Sequence, residues 1–218
     1  MVEILLIFVS ILLLICLCFF AVDGVPIFTA WLKRIHIGRY SDKKEWRNAV
    51  EKIAVLACQG TCDKALAKGA YTGVKSCAGA KLAINGTKFC SWGCIGYGDC
   101  VAVCKFNAIK LGEDGLPHID KEKCTGCGMC TQVCPQKILS TIAADTKGAF
   151  VGCSNKNPNK TQILKLCKTG CIKCGKCEKQ CKEDAIHLVD LIPVVDYTKC
   201  TACGVCVEGC PTKVLSLM

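Results

Sequence analysis

The chain has 218 residues, 23 of them cysteine, and carries 28 Lys and Arg against 18 Asp and Glu for a formal net charge of +10. So much cysteine beside only 6% aromatic residues excludes an ordinary enzyme built on a large apolar core, and calls for disulfides or metals to hold the chain together. A hydrophobic fraction of 51% excludes a disordered chain.

Residues 4–22 are 19 consecutive uncharged, mostly apolar residues, enough to cross a bilayer core as a helix. No Lys or Arg precedes them, whereas Lys33, Arg34, Arg39, Lys43, Lys44 and Arg47 follow. The positive-inside rule therefore predicts a single-pass anchor over 1–24, with a basic juxtamembrane linker over 25–50 and the rest of the chain on the cytoplasmic side. A cleaved signal peptide would need a basic leader and a small-residue cleavage site, and neither is present. Residues 26–34 mix apolar, aromatic and basic side chains, as suits either an interfacial helix or a linker that only fixes topology. Cys16 and Cys18 lie within the anchor and read as small hydrophobes. The other 21 cysteines face a reducing compartment, which favours metal ligation over disulfides.

Residues 51–89 form a lead-in segment with Cys58, Cys62 and Cys77. The apolar run 53–57 reads as a strand ending at Cys58, and 149–152 reads the same way before Cys153, so the repeat described next can extend upstream of its first cysteines.

Two runs have the C-x2-C-x2-C-x3-C-P spacing of bacterial ferredoxins: Cys124, Cys127, Cys130, Cys134 and Pro135, then Cys200, Cys203, Cys206, Cys210 and Pro211. Cys171, Cys174, Cys177 and Cys181 repeat the spacing with Lys182 in place of proline. Zinc sites use separated C-x2-C pairs rather than triple runs, so the spacing points to iron–sulfur clusters. The chain also repeats itself: Cys90, Cys94, Cys100 and Cys104 align with Cys167, Cys171, Cys177 and Cys181, but Tyr97 stands where Cys174 would be expected. After each set come a strand–turn–strand signal, 108–119 and 185–195, and a closing strand, 137–140 and 213–216. The expected fold is α+β: an N-terminal transmembrane helix, then two bicluster ferredoxin-like units of small strands and short helices over 90–142 and 167–218, joined by 143–166. The short helices are expected after each fourth cysteine.

In a bicluster unit three cysteines of one run join the fourth of the other. That rule groups Cys171, Cys174 and Cys177 with Cys210, and Cys200, Cys203 and Cys206 with Cys181. It also groups Cys124, Cys127 and Cys130 with Cys104. The remaining set holds Cys94, Cys100 and Cys134, with a gap at Tyr97; Cys90 is the preferred fourth ligand, a three-iron or lost cluster the alternative. Cys58, Cys62, Cys77 and Cys90 can form a further cluster, and Cys153 and Cys167 are weaker ligand candidates; buried free thiols are the plainer reading. The expected cofactors are about four to five [4Fe-4S] clusters. Each carries about −2 with its thiolates, so five would offset the +10, which leaves little case for nucleic acid as a partner. Lys105, Lys173, Lys176 and Lys182 around the motifs can steer an acidic partner or be plain solvated charge. His36, His118 and His187 have no ligand spacing, and no Ser–His–Asp set, phosphate loop or G-x-G-x-x-G is present. The chain is expected to pass electrons, with no catalytic site of its own.

Residues 55–60, 71–77 and 89–100, the last reading Phe-Cys-Ser-Trp-Gly-Cys-Ile-Gly-Tyr-Gly-Asp-Cys, together with 113–117, resemble the B subunit of the Rnf electron-transport complex. The resemblance covers the anchor and residues 51–218. It implies an iron–sulfur subunit on the cytoplasmic side of a bacterial inner membrane, partnered by the other subunits of a membrane complex and by soluble ferredoxin. It further implies a complex that couples ferredoxin oxidation and NAD reduction to sodium or proton transport. The family's cysteine-rich block after the anchor is missing, since residues 23–57 contain no cysteine. A ferredoxin-like subunit of another membrane oxidoreductase, such as a hydrogenase, is the alternative.

Overall fold

A computed structural model describes residues 51–218. The expected anchor over 1–24 and linker over 25–50 lie outside the described residues. Among the described residues no helix is long and apolar enough to cross a membrane.

Two halves repeat one plan. In the first, β1 (Lys52–Leu56) pairs antiparallel with β4 (Leu139–Ala143), Ile53 opposite Ile142 and Leu56 opposite Leu139. Between them lie α1 (Cys77–Ile84), α2 (Asp99–Ala102), the hairpin of β2 (Ile109–Leu111) and β3 (Pro117–Ile119), and α3 (Met129–Val133). In the second, β5 (Ala149–Val151) pairs with β8 (Leu215–Leu217). These two strands enclose α4 (Lys160–Leu166), α5 (Lys176–Gln180), the hairpin of β6 (Ile186–Val189) and β7 (Ile192–Val195), and α6 (Val205–Glu208). Asp190 and Leu191, both at positive φ (47° and 64°), make the two-residue turn of the second hairpin, whose twist then matches its strands. The outer strands β1 and β5 begin upstream of residues 90 and 167, in the apolar runs that end at Cys58 and Cys153.

The short helices are not where the spacing suggests. They precede each fourth cysteine and carry the third: Cys100 in α2, Cys130 in α3, Cys177 in α5 and Cys206 in α6. Three intervening residues are one helical turn, so third and fourth cysteines come to the same side of the chain. Each helix starts after a glycine in the left-handed region, Gly98, Gly128, Gly175 or Gly204. Continuation past the fourth cysteine is blocked by Pro135 or Pro211 in two cases. In all four, a positive-φ residue three places on (Asn107, Lys137, Asp184 or Lys213) turns the chain into the next strand.

Cysteines are part of the core. Ile53, Ala54, Ala108, Ile109 and Leu139 pack with buried Cys100, Cys124 and Cys130. Ile186, Val214 and Leu215 pack with Cys153, Cys171 and Cys210. Two insertions join the halves. Segment 57–68 runs against 153–169 through Leu66 N–H to Leu166 O at 2.9 Å, Lys168 N–H to Lys64 O at 2.9 Å and Ser154 Oγ to Ala57 O at 3.1 Å. Single antiparallel bridges pair Cys58 with Cys153 and Ala65 with Cys167. Asn159 caps α4 by accepting from Gln162 N–H, and fully buried Ile163 anchors that helix between the halves.

Candidate metal centres

In the second half, Cys171, Cys174, Cys177 and Cys210 line one apolar cavity, closed by Leu188 and Pro193 of the inner hairpin. Cys181, Cys200, Cys203 and Cys206 line another, against Ile186 and Val195. In the first half, Cys130 faces Cys124, Cys127 and Cys104, whose negative charge, after burial, raises its thiol. The structure thus brings together three of the sets that the exchange rule groups.

The fourth set differs. Cys94, Cys100 and Cys134 line a cavity with Cys77, not Cys90. Cys77 is the first residue of α1, whose N-terminus is held by Asp99: Cys77 N–H donates to Oδ1 at 2.8 Å and Ala78 N–H to Oδ2 at 3.1 Å. Ser76 Oγ accepts from Gly79 N–H at 3.0 Å, so two side chains cap the helix. Tyr97 turns away, its ring centroid 6.0 Å from that of Tyr71 and 5.6 Å below Lys75 Nζ. The fold-back of α1 over Tyr97 is why Cys90 is not needed there. The middle cysteines Cys127, Cys174 and Cys203 are exposed, whereas Cys77 is buried. This set is therefore the one shielded from solvent.

Of the remaining cysteines, Cys62, which the spacing groups with Cys58, Cys77 and Cys90, is exposed, its thiol donating to Glu113 O at 3.4 Å, and it lines none of these three cavities. Cys58, Cys153 and Cys167 lie where the two insertions meet, and Asn155 there reaches Cys90 Sγ with its side-chain amide. Lys176 and Lys182 are exposed, but Lys173 Nζ turns inward to Asn155 O.

The residues fit iron–sulfur clusters on several counts. Backbone N–H groups aim at sulfur, from Ala54 to Cys124 at 3.3 Å and from Ala185 to Cys181 at 3.3 Å, the contacts that tune cluster potentials. A Cβ at Gly148, whose φ is +149°, would stand 3.0 Å from Cys200 Sγ, so only glycine leaves the sulfur free. Burial pushes the thiol of Cys94 up to about 12 and those of Cys100 and Cys177 up to about 11. Cys210 runs the other way: burial opposes ionisation, but N–H donors from Val214 and Thr212 hold its thiol below the ordinary value.

Comparison with known proteins agrees with this chemistry. A family of 4Fe-4S dicluster domains matches residues 93–138 and 170–214. The chain is 44% identical to the B subunit of the Na(+)-translocating ferredoxin:NAD(+) oxidoreductase complex of Acetobacterium woodii, over 78% of this chain and 50% of that protein. It is 37% identical to the B subunit of an ion-translocating oxidoreductase complex of Methanosarcina acetivorans, over 80% of this chain and 65% of the relative. Against the B subunit of the proton-translocating ferredoxin:NAD(+) oxidoreductase complex of Clostridium ljungdahlii the identity is 39%, over 74% and 57%. The chain thus spans from half to just under two thirds of these relatives' lengths.

Proposed function

We infer that the chain belongs with the B subunits of ion-translocating ferredoxin:NAD oxidoreductase complexes, which it resembles over three quarters of its length, and that it carries multiple [4Fe-4S] clusters. In our reading it relays single low-potential electrons from a soluble ferredoxin to the next redox subunit of a membrane complex. Each step oxidises one ferredoxin by one electron, adds that electron to one cluster here, and returns the cluster to its oxidised state when the electron leaves. Membrane attachment through residues 1–24, with the clusters on the cytoplasmic side, belongs to this reading and rests on the charge asymmetry of the sequence. So do two ferredoxin-like units, each closed by its upstream strand.

The observation that carries the reading is the pair of like halves whose cores are cysteine-lined. We assign Cys104, Cys124, Cys127 and Cys130 to one cluster, and Cys77, Cys94, Cys100 and Cys134 to its neighbour. The second half holds one on Cys171, Cys174, Cys177 and Cys210 and one on Cys181, Cys200, Cys203 and Cys206. Exposed Cys127, Cys174 and Cys203 bring three of these close to solvent, where a soluble partner can reach them. Lys176 and Lys182 flank the second-half ligands and attract an acidic donor.

The test is stopped-flow reduction of the full, cluster-loaded chain. Reduced ferredoxin should bleach the clusters without NAD, at a rate that falls several-fold between low and about 0.5 M salt as screening shortens the reach of the lysines. Direct reduction by NADH, or no reaction with ferredoxin, would favour a subunit of a different oxidoreductase.

A further inference from the structure

Four cysteines are left over by the ferredoxin pattern, and they meet at one place. Cys58 ends the first outer strand's run and Cys153 ends the second's, and a β-bridge sets their backbones side by side. Cys90 joins them through buried Asn155, whose side-chain amide reaches Cys90 Sγ while its backbone N–H reaches Cys153 Sγ. A Cβ at buried Gly60 would lie 3.4 Å from Cys167 Sγ and 3.8 Å from Cys58 Sγ, so these two sulfurs border the same small space. Cys153 and Cys167 are each only 9% exposed.

A second observation shows what that space is made for. Lys88 is 8% exposed, and its Nζ has no hydrogen-bond partner among the described residues. Its positive charge acts on Cys58 and on Cys94. A buried ammonium without a partner is costly unless an anion lies beside it. Lys173, turned inward, places a second positive charge near Cys153. Polar hydrogens also point at the sulfurs. Asn155, 3% exposed, donates its N–H to Cys153 Sγ at 3.4 Å and its side-chain amide to Cys90 Sγ at 3.6 Å. Cys94 N–H donates to Cys58 Sγ at 3.4 Å, Cys171 N–H to Cys153 Sγ at 3.4 Å, and Thr169 Oγ1 lies 3.5 Å from Cys167 Sγ.

We propose that Cys58, Cys90, Cys153 and Cys167 hold a fifth [4Fe-4S] cluster that sits between the two halves and joins their cluster pairs into one continuous path. Two ligands come from each half, so the cluster also fastens the halves together. The path follows from shared contacts. Cys94, a ligand of the shielded first-half cluster, donates to Cys58; Cys171, a ligand of the second-half cluster, donates to Cys153. With this set, 20 of the 21 cysteines among the described residues are ligands and only exposed Cys62 is spare. Of the set of Cys58, Cys62, Cys77 and Cys90 that spacing allows, two members belong to it, Cys77 belongs to the neighbouring cluster, and Cys62 to none. The inference rests on the iron–sulfur content of the chain and not on which protein supplies electrons.

The test is chemical iron and sulfide analysis of the full chain, loaded anaerobically, with Mössbauer and EPR spectra. Wild type should hold about 20 irons and the double variant Cys90→Ala/Cys153→Ala about 16, with the remaining four clusters keeping their spectra, whereas Cys62→Ser should hold about 20. A wild type saturating at about 16 irons, a double variant that keeps about 20, or a loss of four irons in Cys62→Ser would each overturn the proposal. Lys88→Met guards against a double variant that fails to fold. In a redox titration it should keep the wild-type iron count but shift to lower potential the cluster whose signal is missing from Cys153→Ala, because that cluster, when reduced, gains negative charge that Lys88 no longer balances. Unchanged potentials for every cluster in Lys88→Met would overturn the proposal whatever the double variant does. Normal iron with failed ferredoxin oxidation would leave the site standing and reject only the choice of donor.

Discussion

Tyr97 sits where a ferredoxin run has its middle, solvent-facing cysteine, and its phenol can accept neither the role nor the place. The chain compensates from 20 residues upstream, where Cys77 enters the same cavity as Cys94, Cys100 and Cys134. In the assignment proposed above the exchange replaces an exposed ligand by a buried one, and withdrawal from water lowers a cluster's potential by removing solvent that stabilises the added electron. Cys77→Ala should therefore cost about four irons per chain or leave a three-iron signal, and Tyr97→Cys should restore the four-iron cluster in that background. The same Tyr97→Cys change should not rescue Cys90→Ala. Iron assay with EPR distinguishes the outcomes, and rescue of Cys90→Ala instead would place Cys90, not Cys77, in the first half's fourth set.

At the scale of elements, what is legible in the sequence is what local spacing encodes. The C-x2-C-x2-C-x3-C runs, the inner hairpins and the closing strands can all be read from it, and so can the outer strands, because apolar runs ending at Cys58 and Cys153 carry a strand signal of their own. The helices fall several residues from their expected place, since the turn between third and fourth cysteines is too short for a periodic pattern. The role of α1 is not legible at all. It is set by Asp99 reaching back 22 residues to the N–H of Cys77, a tertiary contact that no spacing rule contains. Ser76 before an eight-residue run ending at Asn85 does mark a helix with a cysteine at its first position. Likewise Cys58 and Cys153 lie 95 residues apart in sequence and meet only once both outer strands are formed. Asp99 is thus a positioning residue. Asp99→Ala should weaken the capped end of α1 by about 1 kcal/mol and loosen Cys77. The expected result is iron lost from the Cys77 site first, under a chelator challenge that leaves the three other ferredoxin-type clusters loaded, whereas Asp99→Asn, which keeps one acceptor, should lie between. Equal chelator resistance of wild type and Asp99→Ala would show that the carboxylate does not hold the ligand.

For the whole molecule, charge and folding are one problem. The bare chain carries +10 with its thiols counted as neutral, and at pH 7 those of Cys90, Cys94, Cys100 and Cys177 are neutral, because burial holds them near 11 to 12. A raised thiol pKa means that the protonated form is the one favoured in the iron-free fold below the ordinary value of 9.0, with that advantage lost as pH climbs through 11 to 12. Iron takes the thiolate, so loading must expel these protons and grows more favourable as pH rises. Each cluster should release about four protons and leave about −2 behind, and five should bring the chain from +10 to near zero. On this balance the lysine excess serves as a counter-charge for the clusters. Three measurements follow from the one balance. Loading in weak buffer should release about 20 protons per chain, and the loaded chain in neutral detergent should migrate near its isoelectric point at about pH 7 while the iron-free chain migrates as a strong cation. Chelator should strip iron more readily at about pH 6 than at about pH 8. Proton release well below this count, or a loaded chain that remains strongly cationic, would mean fewer clusters than five, and the central site would be the one in question.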